Sequence, residues 1–156
     1  MQSEMLSPPN AASEWCPKSS LGYRLKRVLH AWTRQFDQAL KPLGVTHLQY
    51  ITLTAIADIR ESGEVPSQVR VAEWMHQDVM MMSKIVRLLE DRGHLERFAH
   101  PDDPRANALA LTAAGRELLR RGKPIVVAAH KKFFGRLSTA EQETLAASLD
   151  RLLAAG

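Results

Sequence analysis

Between Ser67 and Leu111 the chain switches from helical to strand periodicity, and the punctuation of that switch leaves few folds open. A short helical piece, "SQVRVAEWM", begins at Ser67, a residue type suited to an N-cap. "HQD" then makes a tight turn. "VMMMSKIVRLLEDRG" gives a longer amphipathic helix that stops at Gly93. "HLERFA" alternates, "HPDDPRAN" is a polar turn with two prolines, and "ALAL" follows, a pattern that predicts a two-stranded hairpin with a long exposed tip. Two helices joined by a tight turn and followed by a hairpin make a winged helix-turn-helix.

Long helices flank this unit. From Ser20, residues Leu21, Leu25, Val28, Trp32, Phe36 and Ala39 recur at steps of three and four until Pro42 and Gly44 end the helix. Its flank carries Lys18, Arg24, Lys26, Arg27, Arg34 and Lys41 against Asp37. A second helix follows Thr46, with Gln49 placed for a capping box, and runs to Gly63. After the hairpin, Thr112 caps a helix that continues to about Arg136, with a bend expected near Gly122 and Pro124. "STAE" is a second capping box, and it opens a last helix with Leu145, Leu149, Leu152 and Leu153 on one face. The fold class is therefore mainly α with a small β-hairpin wing, flanked by N- and C-terminal helices. Those helices are more apolar than one small domain requires, so pairing with a second copy is expected. The expected division is an N-terminal arm over 1–18, pairing helices over 19–42 and 113–155, and a winged helix-turn-helix lobe over 46–111 with its wing at about 94–111.

The recognition helix opens on three methionines. On a wheel of about 100° per residue, Met82, Ile85, Val86 and Leu89 form the core face. Met80, Lys84, Arg87 and Asp91 lie opposite, Ser83 stands at the edge, and Met81 sits on the flank near Leu88. The N-terminal end of such a helix meets base edges. A thioether donates no hydrogen bond, so Met80 would read DNA by apolar contact, for example with thymine methyls. Lys84 and Arg87 are placed for a guanine edge or a phosphate; alternatively, Arg87 pairs with Asp91. On the hairpin tip, Arg105 is placed for the minor groove, with Asp102 and Asp103 able to hold its side chain. His100 is a phosphate candidate, and Ser67 completes the contact set.

The remaining composition excludes more than it adds. The net charge of +4 is compatible with a polyanionic partner. No apolar run approaches the roughly 18–20 residues a membrane-spanning helix needs, and no signal segment opens the chain, so a cytoplasmic protein is expected. The single cysteine, Cys16, forms no internal disulfide; it reads as an inert thiol or a redox switch. The six histidines show no zinc spacing, and no catalytic or phosphate-cradling motif is present. No enzyme, metal or cofactor is expected. For a small-molecule crevice, Tyr23, His30, Trp32 and Tyr50 are the aromatic or polar-tipped candidates on the first two helices, with subunit packing as the alternative.

The segments "VAEWM", "DVMMMSKIVRLLEDRGHLER" and "HPDDPRANALALTAAGRELL" resemble the MarR-type transcription regulators. The resemblance covers about residues 20–155, and its most specific part is Asp103 and Arg105 in the wing followed by Leu111–Gly115. It implies an obligate homodimer on a pseudo-palindromic operator in double-stranded DNA, usually a repressor, often released by a small aromatic or phenolic ligand. It marks Met80, Met81, Ser83, Lys84 and Arg87 on the recognition helix, and Asp103 and Arg105 on the wing. Three departures stand out. His76 occupies a turn position where the family often has Gly. Asn107 replaces a common basic residue. The redox-sensing branch has its cysteine at the position of Gly22, about six residues after Cys16. The competing readings are a dimeric protein-interaction module that has lost operator binding, and a thiol sensor acting through Cys16.

Overall fold

The computed structural model describes residues 17–154. A 3-10 turn at Pro17–Ser19 leads into α1 (Leu21–Leu40), capped by the Ser20 hydroxyl, which accepts the Tyr23 N–H. Lys41–Leu43 tightens into a second 3-10 turn. α2 (His47–Glu61) opens on the expected capping box of Thr46 and Gln49. Then follow α3 (Gln68–Trp74), α4 (Val79–Asp91), β1 (Leu95–Ala99), β2 (Asn107–Leu111), α5 (Ala113–Phe134) and α6 (Thr139–Leu153). The last helix opens on the expected box of Ser138 and Glu141. The order is that of a winged helix-turn-helix between flanking helices.

One core joins the lobe. Leu53, Ile56 and Ile59 of α2, Val71 and Ala72 of α3, Met82, Val86 and Leu89 of α4, and Leu95 and Leu109 of the hairpin are all buried in it. β1 and β2 pair antiparallel, with Leu95 opposite Leu111 and Ala99 opposite Asn107. A bridge absent from the sequence reading adds a third partner: Ser67 pairs with Ala108, and the Leu109 N–H donates to the Pro66 carbonyl at 2.7 Å. The wing is thus anchored to the residues that start α3.

The junction of wing and α5 explains "LTAAG". The Thr112 hydroxyl donates to the Gly93 carbonyl at 2.6 Å and accepts the Gly115 N–H at 3.1 Å. A Cβ at position 115 would run into the His94 carbonyl oxygen. Only glycine lets the first turn of α5 press against the link between α4 and β1. A second close approach lies further along α5, where Gly122 leaves room for the Tyr50 ring and the Tyr50 hydroxyl donates to the Leu119 carbonyl at 3.0 Å. Burial raises the pKa of that phenol.

Two local details bear on the packing. α5 runs as one helix through Pro124; both Pro124 and Arg120, whose carbonyl loses its donor, are exposed, so water can take the place of the missing N–H. Trp74 is not a core residue. It is 40 % exposed, and its Nε1–H donates to Asp58 Oδ2 at 2.8 Å, tying α3 to α2 from outside.

The flanking helices leave much of their apolar surface bare in the protomer. α1 packs on α5 through its C-terminal half, where the Gln35 side-chain amide donates to the Ala129 carbonyl at 2.7 Å. Every residue from Leu21 to Ala31 is exposed, and α6 buries none. Leu21, Leu25, Val28 and Leu29 on α1 and Leu149, Leu152 and Leu153 on α6 all face outward.

Candidate nucleic-acid interface

α4 starts where Asp78 caps it. Its carboxylate accepts the Met80 and Met81 N–H groups at 2.9 and 3.0 Å. The turn before it, at His76, takes a φ of +50°. From that start the helix divides as the wheel predicts. Met82, Ile85, Val86 and Leu89 are buried, Met81 is 46 % exposed, and Met80 is 73 % exposed. Lys84 and Arg87 are exposed and Ser83 is half-buried at the edge. The alternative pairing of Arg87 with Asp91 is not formed: among the described residues neither Lys84, Arg87 nor Arg105 has an ion pair within 4 Å. Three uncommitted cations on one lobe suit a polyanion, because no internal carboxylate must be given up to bind it.

The wing is organised differently from its sequence reading. Asp103 Oδ1 accepts the Arg105 backbone N–H at 2.9 Å. The acid therefore shapes the turn and leaves the guanidinium unrestrained. His100 is half-buried, and its Nδ1 accepts the Asp102 N–H at 3.2 Å, so it also serves the loop. Ser67 is 7 % exposed and its hydroxyl accepts the Arg70 N–H at 3.2 Å; it starts α3 rather than facing outward.

Sequence reasoning missed one pair that links the wing to α4. Glu90, near the end of α4, accepts from Arg97 of β1: Nε donates at 2.9 Å and an Nη–H donates to the same oxygen. The Arg97 hydrogen bond holds the Glu90 carboxyl below its usual range. The signal was present, since Arg97 shares the Leu95 and Ala99 side of an alternating strand, but nothing local showed which helix that side would meet.

The four crevice candidates do not share one cavity. The Tyr23 ring lies under the Arg27 guanidinium, and His30 is exposed on the same helix. Trp32 packs with Phe36 and with His47, ring centroids 4.9 and 4.7 Å away. Tyr50 alone lines a cavity of about 400 Å³ between α2 and α5, with Ile51, Leu119 and Val126 as its apolar wall and Arg120 and Lys123 at its rim. A cavity of about 570 Å³ lies nearby, where Arg60, Glu96 and Arg116 meet between α2, the hairpin and α5. Among the described residues, no group of three His, Cys, Asp or Glu is placed to hold a metal ion, and no helix is long and apolar enough to cross a membrane. Cys16 and the arm before Pro17 lie outside the described residues.

A helix-turn-helix whose second helix bares its N-terminal end, beside a wing carrying an unpaired arginine, defines a winged-helix DNA-binding protein. No protein-family profile matches the chain. It is 32 % identical over 137 residues, 88 % of the chain and 92 % of the relative, to the uncharacterized HTH-type transcriptional regulator YdcH of Bacillus subtilis. A MarR-family transcriptional regulator from Rhodococcus sp. RHA1 superposes with a TM-score of 0.75 at 27 % identity, covering 89 % of this chain and 97 % of that one. The S. aureus MepR–DNA complex gives a TM-score of 0.79 at 23 % identity, covering 88 % and 98 %. The chain belongs to the MarR family of helix-turn-helix transcriptional regulators.

Proposed function

We propose that this regulator is a homodimer that binds a pseudo-palindromic operator and represses transcription there, until a small aromatic or phenolic ligand releases it. The observation that carries the DNA half is the alignment of exposed Met80, Lys84 and Arg87 along α4 with unpaired Arg105 on the wing. Met80 and Met81 make apolar base contacts, and Lys84 and Arg87 supply the polar ones, with Ser83 at the edge of the same surface. Arg105 enters the minor groove, while Asp103 fixes the turn that presents it. His100 remains a phosphate candidate through its exposed portion.

Pairing is supported by the bare apolar surface of α1 and α6. Each fully buried leucine or valine contributes about 1.5–3 kcal/mol, and seven such side chains stand exposed on the two helices. A twofold arrangement presents two lobes to two half-sites. The arm, the pairing helices and the winged lobe then act as three units, in a protein working in the cytoplasm. The ligand belongs in the crevice between α2 and α5, where Tyr50 gives an aromatic wall and Arg120 and Lys123 suit an acidic or phenolic oxygen. The interaction-module alternative rested on acids in the wing, and Asp103 has an internal use that accounts for one of them.

The test is a fluorescence-anisotropy titration on duplex DNA flanking the gene, at two salt concentrations. Binding should be specific and steeply salt-dependent, with each phosphate contact removed flattening the log–log slope by about 0.9. Arg105→Ala should weaken binding about tenfold, within the roughly 1–3 kcal/mol of one specific contact. Unchanged affinity in that variant would sink the wing assignment, and only non-specific binding by the parent protein would sink the reading as a whole.

A further inference from the structure

We propose that Met80 and Met81 form an oxidation-sensitive switch on the DNA-reading helix: oxygen transfer to their thioethers lowers DNA affinity. The inference rests on the DNA-binding reading above. Methionine side chains are soft enough to fit a varied surface, but the same sulfur accepts an oxygen atom and becomes a polar, chiral sulfoxide. The three consecutive methionines differ sharply in access. Met80 is 73 % and Met81 46 % exposed, whereas Met82 is fully buried, its sulfur facing the Thr52 hydroxyl at 4.0 Å. Met75 is half-buried, with its sulfur 3.5 Å from the same hydroxyl. Oxidation of the folded protein therefore falls on the two outer sulfurs of the run and spares the one that holds α4 to the core.

Met80 also stands in line with Lys84 and Arg87, one and two turns along. A change from an apolar to a polar tip thus occurs inside the contact surface and not beside it. The sulfoxide oxygen is a strong acceptor placed against acceptor-rich base edges and phosphates. The chemistry needs an oxygen donor of the hypochlorous acid class. An S–O bond forms as the O–Cl bond breaks. Sulfur gives up two electrons, chlorine leaves as chloride, and the hydroxyl proton passes to water. Sulfoxide reductases, one for each epimer, reverse the change.

The experiment starts from Cys16→Ser, so that the thiol cannot contribute. The unoxidised protein selects a duplex from a randomised pool, and its affinity is measured before and after limited hypochlorous acid treatment. Peptide mass mapping locates the added oxygens. The expected result is oxygen on Met80 and Met81 with Met82 unmodified, a loss of affinity of about tenfold or more, comparable to one lost base contact, and recovery after reductase treatment. In the same background, the protein carrying Met80→Leu and Met81→Leu is compared only with its own unoxidised affinity, on a duplex it selects itself, and the oxidant should leave that affinity unchanged. Equal loss in the double-leucine protein would overturn the switch, because oxidised side chains other than Met80 and Met81 would then carry the effect. So would undiminished affinity once both outer sulfurs are shown to be oxidised. If the unoxidised protein selects no duplex, the DNA-binding reading fails and takes the switch with it. If it selects one and oxidation leaves binding intact, the switch alone fails.

Discussion

Replacing His76 by glycine should stabilise the protein. His76 follows α3 and holds a φ of +50°, while every other positive φ among the described residues belongs to glycine. Its N–H donates to the Glu73 carbonyl at 3.1 Å, and the Gln77 N–H reaches the Ala72 carbonyl at 2.9 Å. These are the two bonds of a Schellman cap, a position that glycine usually fills. A left-handed L-residue costs about 1–2 kcal/mol through its Cβ. Glycine avoids that cost but loses about 0.5–1 kcal/mol more chain entropy on folding. At the midpoints of those two ranges the balance favours His76→Gly by about 0.75 kcal/mol. For a chain of this length that raises Tm by about 1–4 °C. The assay is urea unfolding followed by circular dichroism at one fixed protein concentration, since the pairing proposed above would make stability depend on concentration. The midpoint should rise with the slope unchanged. His76→Ala is the control, because it removes the exposed imidazole and keeps the Cβ. A glycine variant no more stable than the parent, or an alanine variant that gains as much, would refute the reasoning.

Other outcomes follow from contacts described above. Gly115→Ala should cost about 1–3 kcal/mol, the usual cost of overpacking, because its methyl meets the His94 carbonyl; a wild-type urea midpoint would contradict the close approach. Stability should fall on acidification. Burial lowers the His47 pKa, with Asp37 opposing it, and burial together with Arg92 lowers that of His94. Below the ordinary value of about 6.5 the unfolded chain binds more protons than the folded one, so stability is full above that pH and is lost as pH drops through it toward the lowered values. His47→Gln should flatten part of that fall in a Tm-against-pH series, and a Tm that rises on acidification would reverse the sign. Arg97→Ala should cost less than about 1 kcal/mol of stability, as for a partly exposed pair, yet weaken DNA binding with no change in salt slope; a slope reduced by a full contact would instead place Arg97 on a phosphate.

The helices and the inward face of α4 were legible because they depend on spacing alone. Met82, Ile85, Val86 and Leu89 had to share a face, and the hairpin strands were bounded by residues that cannot continue them. What escaped were contacts between elements. Nothing in "EVPS" showed that Ser67 would pair with Ala108, since that bridge depends on where the hairpin folds back. Asp103 was read through its charge, whereas the short carboxylate found a backbone N–H two residues away. Tyr23, His30, Trp32 and Tyr50 were grouped because their types suit a ligand; the helix axes send Tyr50 toward α5 and Trp32 toward His47. The wheel gave direction along each helix but not the neighbour at the end of it.

The bare surface of α1 and α6 has a genetic consequence. On the pairing proposed here, the parts that join two chains are separate from the parts that touch DNA. A mutant chain damaged in α4 or the wing but sound at its ends will still be taken up by wild-type partners. With both kinds in equal supply, random mixing leaves only about a quarter of the dimers with two working lobes. Lesions in the lobe should therefore be dominant in a cell carrying both alleles, and lesions that spoil the terminal helices recessive.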